Sequence, residues 1–131
     1  MQNYVLKLFI LGLFLATGTA HAVSLGKMTT LSGLNQPFEA EIQLHAVARE
    51  ELDSLKVGIA SVEAFARANI DRPFILSNLN FETVAKENGQ AVIRVSSRRG
   101  ITEPYLNFLL EVSGSGEKVV REYAVLLDLP R

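Results

Sequence analysis

Alternation of apolar and polar residues predicts β-strands along much of the chain. The clearest case is residues 37–45, where Phe38, Ala40, Ile42 and Leu44 alternate with charged or polar side chains. A period of two places one set of side chains on a buried face and the other set in water. We therefore predict a half-buried strand over residues 37–45.

Six further segments have the composition or alternation of strands. Residues 105–112 alternate again, with Leu106, Phe108, Leu110 and Val112 on one face. The other five predicted strands are residues 25–31, 55–59, 81–86, 91–97 and 118–127. Such a pattern favours a mainly β fold, an antiparallel immunoglobulin-like β-sandwich of about seven strands, and it leaves the strand order open.

Glycine-containing turns predict two hairpins. Asn88 and Gly89 lie between the strands predicted at 81–86 and 91–97, and this dipeptide adopts positive φ at low cost. Residues 113–116 read Ser-Gly-Ser-Gly and join the last two predicted strands. Both connections therefore predict antiparallel pairing of strands that are neighbours in sequence.

One or two short helices interrupt the strands. Ser61 is a good N-cap for a helix over residues 62–69, and Glu63 in the first turn suits the helix dipole. Residues 48–52 are predicted to form a further short turn. The residues of the predicted helix expected to face the core are Val62, Phe65 and Ala66.

The first 22 residues have the organisation of a cleavable signal peptide. Lys7 precedes a short apolar stretch at residues 8–16, and Ala20-His21-Ala22 is a cleavage motif of small residues. The apolar stretch is too short to cross about 30 Å of hydrocarbon. We therefore expect residues 1–22 to be removed and residues 23–131 to form one periplasmic domain with no stable membrane span.

The net charge and the absence of cysteine bear on the expected partners and on how the domain is stabilised. The formal net charge of the chain is -1, and there is no Cys, so the domain is expected to be stable without disulfides. A near-neutral balance lacks the basic excess of nucleic-acid-binding proteins. We predict no nucleic-acid partner.

The residues expected in the mature domain contain no recognisable catalytic motif. His45 is the one histidine after residue 22, and it shares the polar face of its predicted strand with Glu39 and Glu41. A metal site is conceivable there, but zinc would need further ligands, and we interpret this face as solvated. With no Gly-x-Ser-x-Gly or phosphate-binding motif, we predict a protein that is not an enzyme and has no cofactor or metal.

A group of charged residues and one tyrosine in the second half of the mature domain is the candidate contact surface, called here the charged cluster. It consists of Arg94, Arg98, Arg99, Glu103 and Tyr105. One interpretation is a solvated strand end with an ion pair to Glu103. The other is a contact for a partner protein or an anionic glycan. A free sheet edge that accepts a partner strand is a third way of binding.

Several segments resemble a known family, the amino-terminal domain of FimV-type proteins. The resemblance runs in order through most of the mature chain. It is carried by residues 34–42 (LNQPFEAEI), 71–74 (DRPF), 91–98 (AVIRVSSR), 103–112 (EPYLNFLLEV) and 121–128 (REYAVLLD).

The resemblance implies a periplasmic, non-enzymatic domain linked to type IV pilus assembly and type II secretion. The expected partners are envelope proteins of such an apparatus, contacted through the charged cluster. Full-length family members also carry a peptidoglycan-binding LysM module, which this sequence lacks. The alternative function is a binding module for peptidoglycan, which is weakened by the absence of Trp and by only two tyrosines after residue 22.

Overall fold

The computed structural model describes residues 23–114 and 118–129, which fold into two packed antiparallel sheets. One sheet has four strands in the order β1-β2-β5-β4, and the other has three in the order β3-β6-β7. The strands are β1 (Ser24–Thr30), β2 (Pro37–His45), β3 (Lys56–Ile59), β4 (Leu79–Ala85), β5 (Ala91–Gly100), β6 (Tyr105–Ser113) and β7 (Lys118–Leu126). The predicted β-sandwich of about seven strands is confirmed.

The predicted hairpin at Asn88-Gly89 is present between β4 and β5. Gly89 has φ of 86°, and its N–H donates to the carbonyl of Lys86 at 3.0 Å. Glycine adopts this left-handed conformation without steric strain. The turn predicted at residues 113–116 lies partly outside the described residues. The signal peptide predicted at residues 1–22 lies wholly outside them.

Short helices lie in the connections between strands. Helix α1 spans Val62–Ala68, and 3₁₀ helices span Arg49–Ser54 and Phe74–Asn78. The Ser61 side chain caps α1 by accepting from the Ala64 N–H at 3.2 Å, as the sequence predicts. Asn69 ends the helix in the left-handed conformation, with φ of 56°.

The predicted core face of α1 is partly wrong. Phe65 is buried as expected, but Val62 is 62% exposed and Ala66 is also exposed. Ala64 packs against the core instead. Because the helix has only two turns, it contacts the sandwich along one narrow line, which leaves its first residue in solvent.

The hydrophobic core lies between the two sheets. Alternate residues of β2, β5 and β6 point into it, which explains the period of two in the sequence. Phe108 lies between two other rings, with centroids 6.3 Å from Phe81 and 6.0 Å from Tyr123. The largest fully buried side chains are Phe38, Phe65, Phe108, Ile42, Leu76, Ile93, Ile101, Leu106, Leu110, Val95 and Val112.

A polar connection joins the two sheets at strands β1 and β7. A β-bulge after Leu25 turns the backbone of β1, and the Tyr123 hydroxyl donates to the Gly26 carbonyl at 2.8 Å. Arg121 donates to the carbonyls of Leu25 and Gly26, and its guanidinium lies 5.0 Å from the Tyr123 ring centroid. These contacts satisfy carbonyls that the bulge removes from the regular ladder.

Candidate binding surface

Arg98 and Arg99 lie in a bulged segment at the end of β5. Ser96 pairs with Glu39 of β2, and Gly100 pairs with Pro37. Four residues of β5 therefore lie opposite two residues of β2. In a regular strand, consecutive side chains would point to opposite faces, and one arginine would point towards the core. The bulge breaks this alternation, so that both arginines are exposed.

Ser97 fixes the backbone between these arginines and β2. Its hydroxyl oxygen accepts from the Phe38 N–H at 2.8 Å, and the hydroxyl donates to the Arg99 carbonyl at 2.6 Å. Ser97 is buried, so these bonds replace ladder bonds that the bulge removes. The bulged segment is therefore held in one conformation by the serine side chain.

Gly100 allows the loop before β2 to approach the end of β5. A Cβ at this position would lie 2.2 Å from the Asn35 carbonyl oxygen, which is inside van der Waals contact. Asn35 has φ of 66°, and its N–H donates to the Ile101 carbonyl at 2.8 Å. The segment that follows the arginines is thereby anchored against the loop at Asn35.

Arg94 lies on a different part of the molecule from the rest of the predicted cluster. It is exposed on the outer face of the four-stranded sheet, opposite Glu41 of β2 and Glu82 of β4 in the strand register. Glu41 also pairs with Lys86, with 2.6 Å between Nζ and Oε2. Arg94 therefore belongs to a face of alternating charges that compensate one another across the strands.

Glu103 and Tyr105 line a groove beside the start of β6, the middle strand of the three-stranded sheet. The groove has a volume of about 620 Å³. Its opposite wall is formed by Ile70 and Asp71, which follow α1, and by Ile75 of the second 3₁₀ helix. Tyr105 is 54% exposed, so its ring is available at the rim of the groove.

The structure thus divides the five predicted contact residues into three locations. Arg94 is on the outer sheet face, Arg98 and Arg99 are in the bulge, and Glu103 and Tyr105 are at the groove. Within residues 23–114 and 118–129, none of the four charged residues takes part in an ion pair. The ion pair to Glu103 considered from the sequence is therefore not formed by the described residues.

Sequence reasoning missed the groove residues on its opposite wall and on β6. Asn107 lines the groove, and its Oδ1 is buried and accepts no hydrogen bond from the part of the chain that is described. The only sequence signal for Asn107 is a polar residue at an alternating position of its strand. That signal is shared by every solvated strand face.

The ring of His45 lies against the β1 bulge. A Cβ at Gly26 would lie 2.7 Å from His45 Nε2, so the glycine provides the space that the ring occupies. Across the described ranges, no three His, Asp or Glu side chains are grouped so that they could hold a metal ion. The same residues contain no helix with the length and apolar character that crossing a bilayer requires.

Comparison with known proteins identifies the family. The sequence model described as the FimV N-terminal domain, an Ig-like domain, matches residues 23–130. The chain belongs to this family. The family description agrees with the immunoglobulin-like sandwich predicted from the sequence and with the two antiparallel sheets of the structure.

Curated relatives of this FimV-family chain are much longer proteins. The chain is 45% identical over 116 residues to proteins named motility hub protein FimV from two strains of Pseudomonas aeruginosa. The match covers 88% of this chain and 13% of each relative. No solved structure matches the chain.

Proposed function

We propose that this chain is a non-enzymatic periplasmic protein-interaction module that acts with a type IV pilus or a type II secretion apparatus. The observation that carries the proposal is the 45% identity to motility hub proteins over 88% of the chain. The name of those relatives describes proteins of much greater length, so the role proposed for this chain is that of their shared amino-terminal domain. Its partners would be envelope proteins of the same apparatus.

The arrangement of the surface supports a binding role. Two exposed arginines are held on a rigid bulge, and Glu103 and Tyr105 line a groove a few residues further along the chain. Arginine and aromatic side chains are enriched in protein–protein interfaces, and binding residues often lie on loops that a rigid scaffold holds in place. We therefore propose that the partner contact lies on the chain segment from Arg94 to Tyr105, with the bulge and the groove as its exposed parts.

The proposed periplasmic location depends on residues 1–22. Lys7, the apolar stretch and Ala20-His21-Ala22 have the order of a signal peptide. Amino-terminal sequencing of the protein recovered from the periplasm tests this directly. A first residue at Val23 is expected, and a protein that retains Met1 would contradict cleavage.

Crosslinking in cells tests the interaction role. The tagged protein is expressed from residues 1–131 and crosslinked in the envelope. Its captured partners are identified by mass spectrometry. Pilus or secretion proteins are expected among the partners, and the double variant Arg98→Glu/Arg99→Glu should lose them. The control Arg49→Glu/Lys56→Glu makes the same charge change at exposed residues elsewhere and should retain them.

A second candidate function is binding of peptidoglycan glycan. The exposed ring of Tyr105 lines the same groove as the carboxylates of Asp71 and Glu103, and aromatic rings with carboxylates are groups that bind sugars. Sedimentation with purified sacculi distinguishes this function. Loss of the protein from the supernatant would support it, and full recovery in the supernatant would exclude it.

A further inference from the structure

Strand β6 has an open edge next to the groove. Along its whole length, from Tyr105 to Ser113, it pairs with β7. On its other side it pairs with β3, whose register begins only at Leu110. One further backbone bond, from the Ala60 N–H to the Leu109 carbonyl at 2.9 Å, ends this pairing.

The sequence explains why pairing stops at this point. Ser61 follows Ala60 and caps α1, so the chain leaves the line of β3 where a longer strand would continue along β6. The chain returns after Asn69 and forms the opposite wall of the groove. A space is therefore left beside the first half of β6, and the groove of about 620 Å³ occupies it.

The backbone groups of Tyr105 and Asn107 point into this space. The Pro104 carbonyl accepts from Leu127 on the β7 side, at 2.7 Å, whereas the Leu109 carbonyl accepts on the β3 side. Because successive residues of an antiparallel strand bond to opposite sides, Tyr105 and Asn107 direct their N–H and C=O groups to the β3 side. Nothing in the described part of the chain bonds to them there.

The Asn107 side chain adds a further unused acceptor. Its Oδ1 is buried without a hydrogen bond from the described residues. A buried polar atom without a partner costs free energy, so rotation of the Asn107 side chain towards a donor on a bound ligand would regain that energy. The open edge and the orphaned oxygen occur together in the groove.

The groove lining indicates the side chains of the ligand. Ile70, Ile75 and Leu106 provide apolar contacts, and the two charged lining residues, Asp71 and Glu103, are both acidic. Alternating apolar and basic side chains on an extended peptide would match these two properties. A second copy of this chain is disfavoured, because symmetric pairing of the same edges would bring the carboxylates of both copies together.

We propose that the open edge of β6 binds an extended peptide segment of a partner protein, in which apolar residues alternate with lysine or arginine. The segment continues the line of β3 and pairs with the backbone of Tyr105 and Asn107. This inference rests on the proposed function, since it supplies the contact that an interaction module needs. Addition of a strand to a sheet edge gives affinity through the backbone and selectivity through alternate side chains.

A synthetic peptide tests the proposal directly. The probe is Val-Lys-Val-Lys-Val-Lys with blocked ends, and its matched control is Val-Glu-Val-Glu-Val-Glu. Each is titrated into the purified protein, and amide signals are followed by NMR. We expect the Lys peptide to shift and protect the amides of Tyr105 and Asn107, and to bind about ten-fold more tightly than the Glu peptide.

Backbone pairing is tested with methylated peptides. Methyl groups are placed either on all valine amides or on all lysine amides, which lie on opposite edges of an extended peptide. One methylated peptide should lose binding while the other keeps it. Equal affinity of the two would contradict strand addition, and this result does not depend on any protein variant.

Protein variants distinguish the contribution of backbone pairing to peptide affinity from the contribution of the side chains. Asn107→Pro removes the N–H on the open edge and no bond to β7, whereas Asn107→Ala retains that N–H. Asn107→Pro should bind about five-fold more weakly than Asn107→Ala, and Asp71→Asn/Glu103→Gln should lower affinity for the Lys peptide only. If Asn107→Pro keeps the fold but the Lys peptide no longer shifts the Tyr105 amide, the open edge of β6 is the binding site.

Three results would overturn the proposal. They are no shift at Tyr105 and Asn107 with the Lys peptide, shifts with protein concentration alone, and shifts with a tetramer of N-acetylglucosamine but not with the peptide. The second result would indicate a second copy and the third a glycan. Crosslinking to envelope proteins could still succeed in each case, so failure of this inference is distinguishable from failure of the proposed function.

Discussion

The Tyr123 hydroxyl and the Gly26 carbonyl form a 2.8 Å hydrogen bond that joins the two sheets of the sandwich. Tyr123 comes from the last strand and Gly26 from the first, so the bond connects the two ends of the domain. Arg121 donates to the same carbonyl at 3.1 Å. Open sides of a sandwich lack backbone pairing, and here side chains provide the connection.

Replacing Tyr123 with Phe should destabilise the fold by about 1 kcal/mol, because one hydrogen bond is lost while Arg121 still satisfies the carbonyl. Urea unfolding measures the change. Tyr105→Phe is the control, since Tyr105 is half-exposed, and it should alter stability by less than about 0.5 kcal/mol. Equal effects of the two substitutions would contradict the role given to the Tyr123 hydroxyl.

The same tyrosine predicts a loss of stability at alkaline pH. Burial raises the pKa of Tyr123 above its ordinary value of 10.0, and the neighbouring Arg121 partly offsets the rise. The folded state therefore retains this proton more strongly than the unfolded state. Its contribution is fully present below pH 10 and is lost as pH rises through the folded pKa. Between pH 9 and pH 11, the unfolding free energy of Tyr123→Phe should fall less than that of the unsubstituted protein. Parallel curves of unfolding free energy against pH would contradict this assignment.

Gly100→Ala should destabilise the protein by about 1 to 3 kcal/mol, because the added Cβ would meet the backbone of Asn35. Backbone atoms cannot move aside as a flexible side chain can. Gly58→Ala is the matched control on β3, where no atom lies within 4 Å of the added Cβ. Thermal unfolding of both variants measures the difference in stability between them. Equal stability of Gly100→Ala and Gly58→Ala would contradict the prediction.

Ser97→Ala should cost about 1 to 3 kcal/mol, because it leaves the buried N–H of Phe38 without an acceptor. The bulge that carries Arg98 and Arg99 should also become less rigid. Hydrogen exchange at Phe38 and Arg99 measures the local effect. Ser77→Ala removes an exposed hydroxyl that bonds to the Phe74 carbonyl, and little change is expected there.

Much of the fold could be predicted because apolar and polar residues alternate in its best-defined strand, β2, and in most of β6. The predicted strand at residues 37–45 has the bounds found in β2, since its apolar residues face one continuous core. Val62 shows the limit of such patterns. Its helical spacing to Phe65 is correct, but whether the first turn reaches the core depends on how α1 is placed against the sheets.

The groove could not be predicted because it arises from pairing between distant segments. The helix start at Ser61 is visible in the sequence, but its consequence depends on β3 being the neighbour of β6. The paired exposure of Arg98 and Arg99 likewise depends on a register mismatch between β5 and β2. Strand order and register are properties of the whole sheet, and no local pattern reports them.

Site-specific photocrosslinking in living cells tests the central claim most directly. A photoreactive residue replaces Tyr105 at the groove, and in a matched control it replaces exposed Asn80 on β4. We predict that position 105 captures a pilus or secretion protein of the envelope and that position 80 does not. Capture at both positions alike, or at neither, would contradict the account of this domain as an interaction module that binds through the groove.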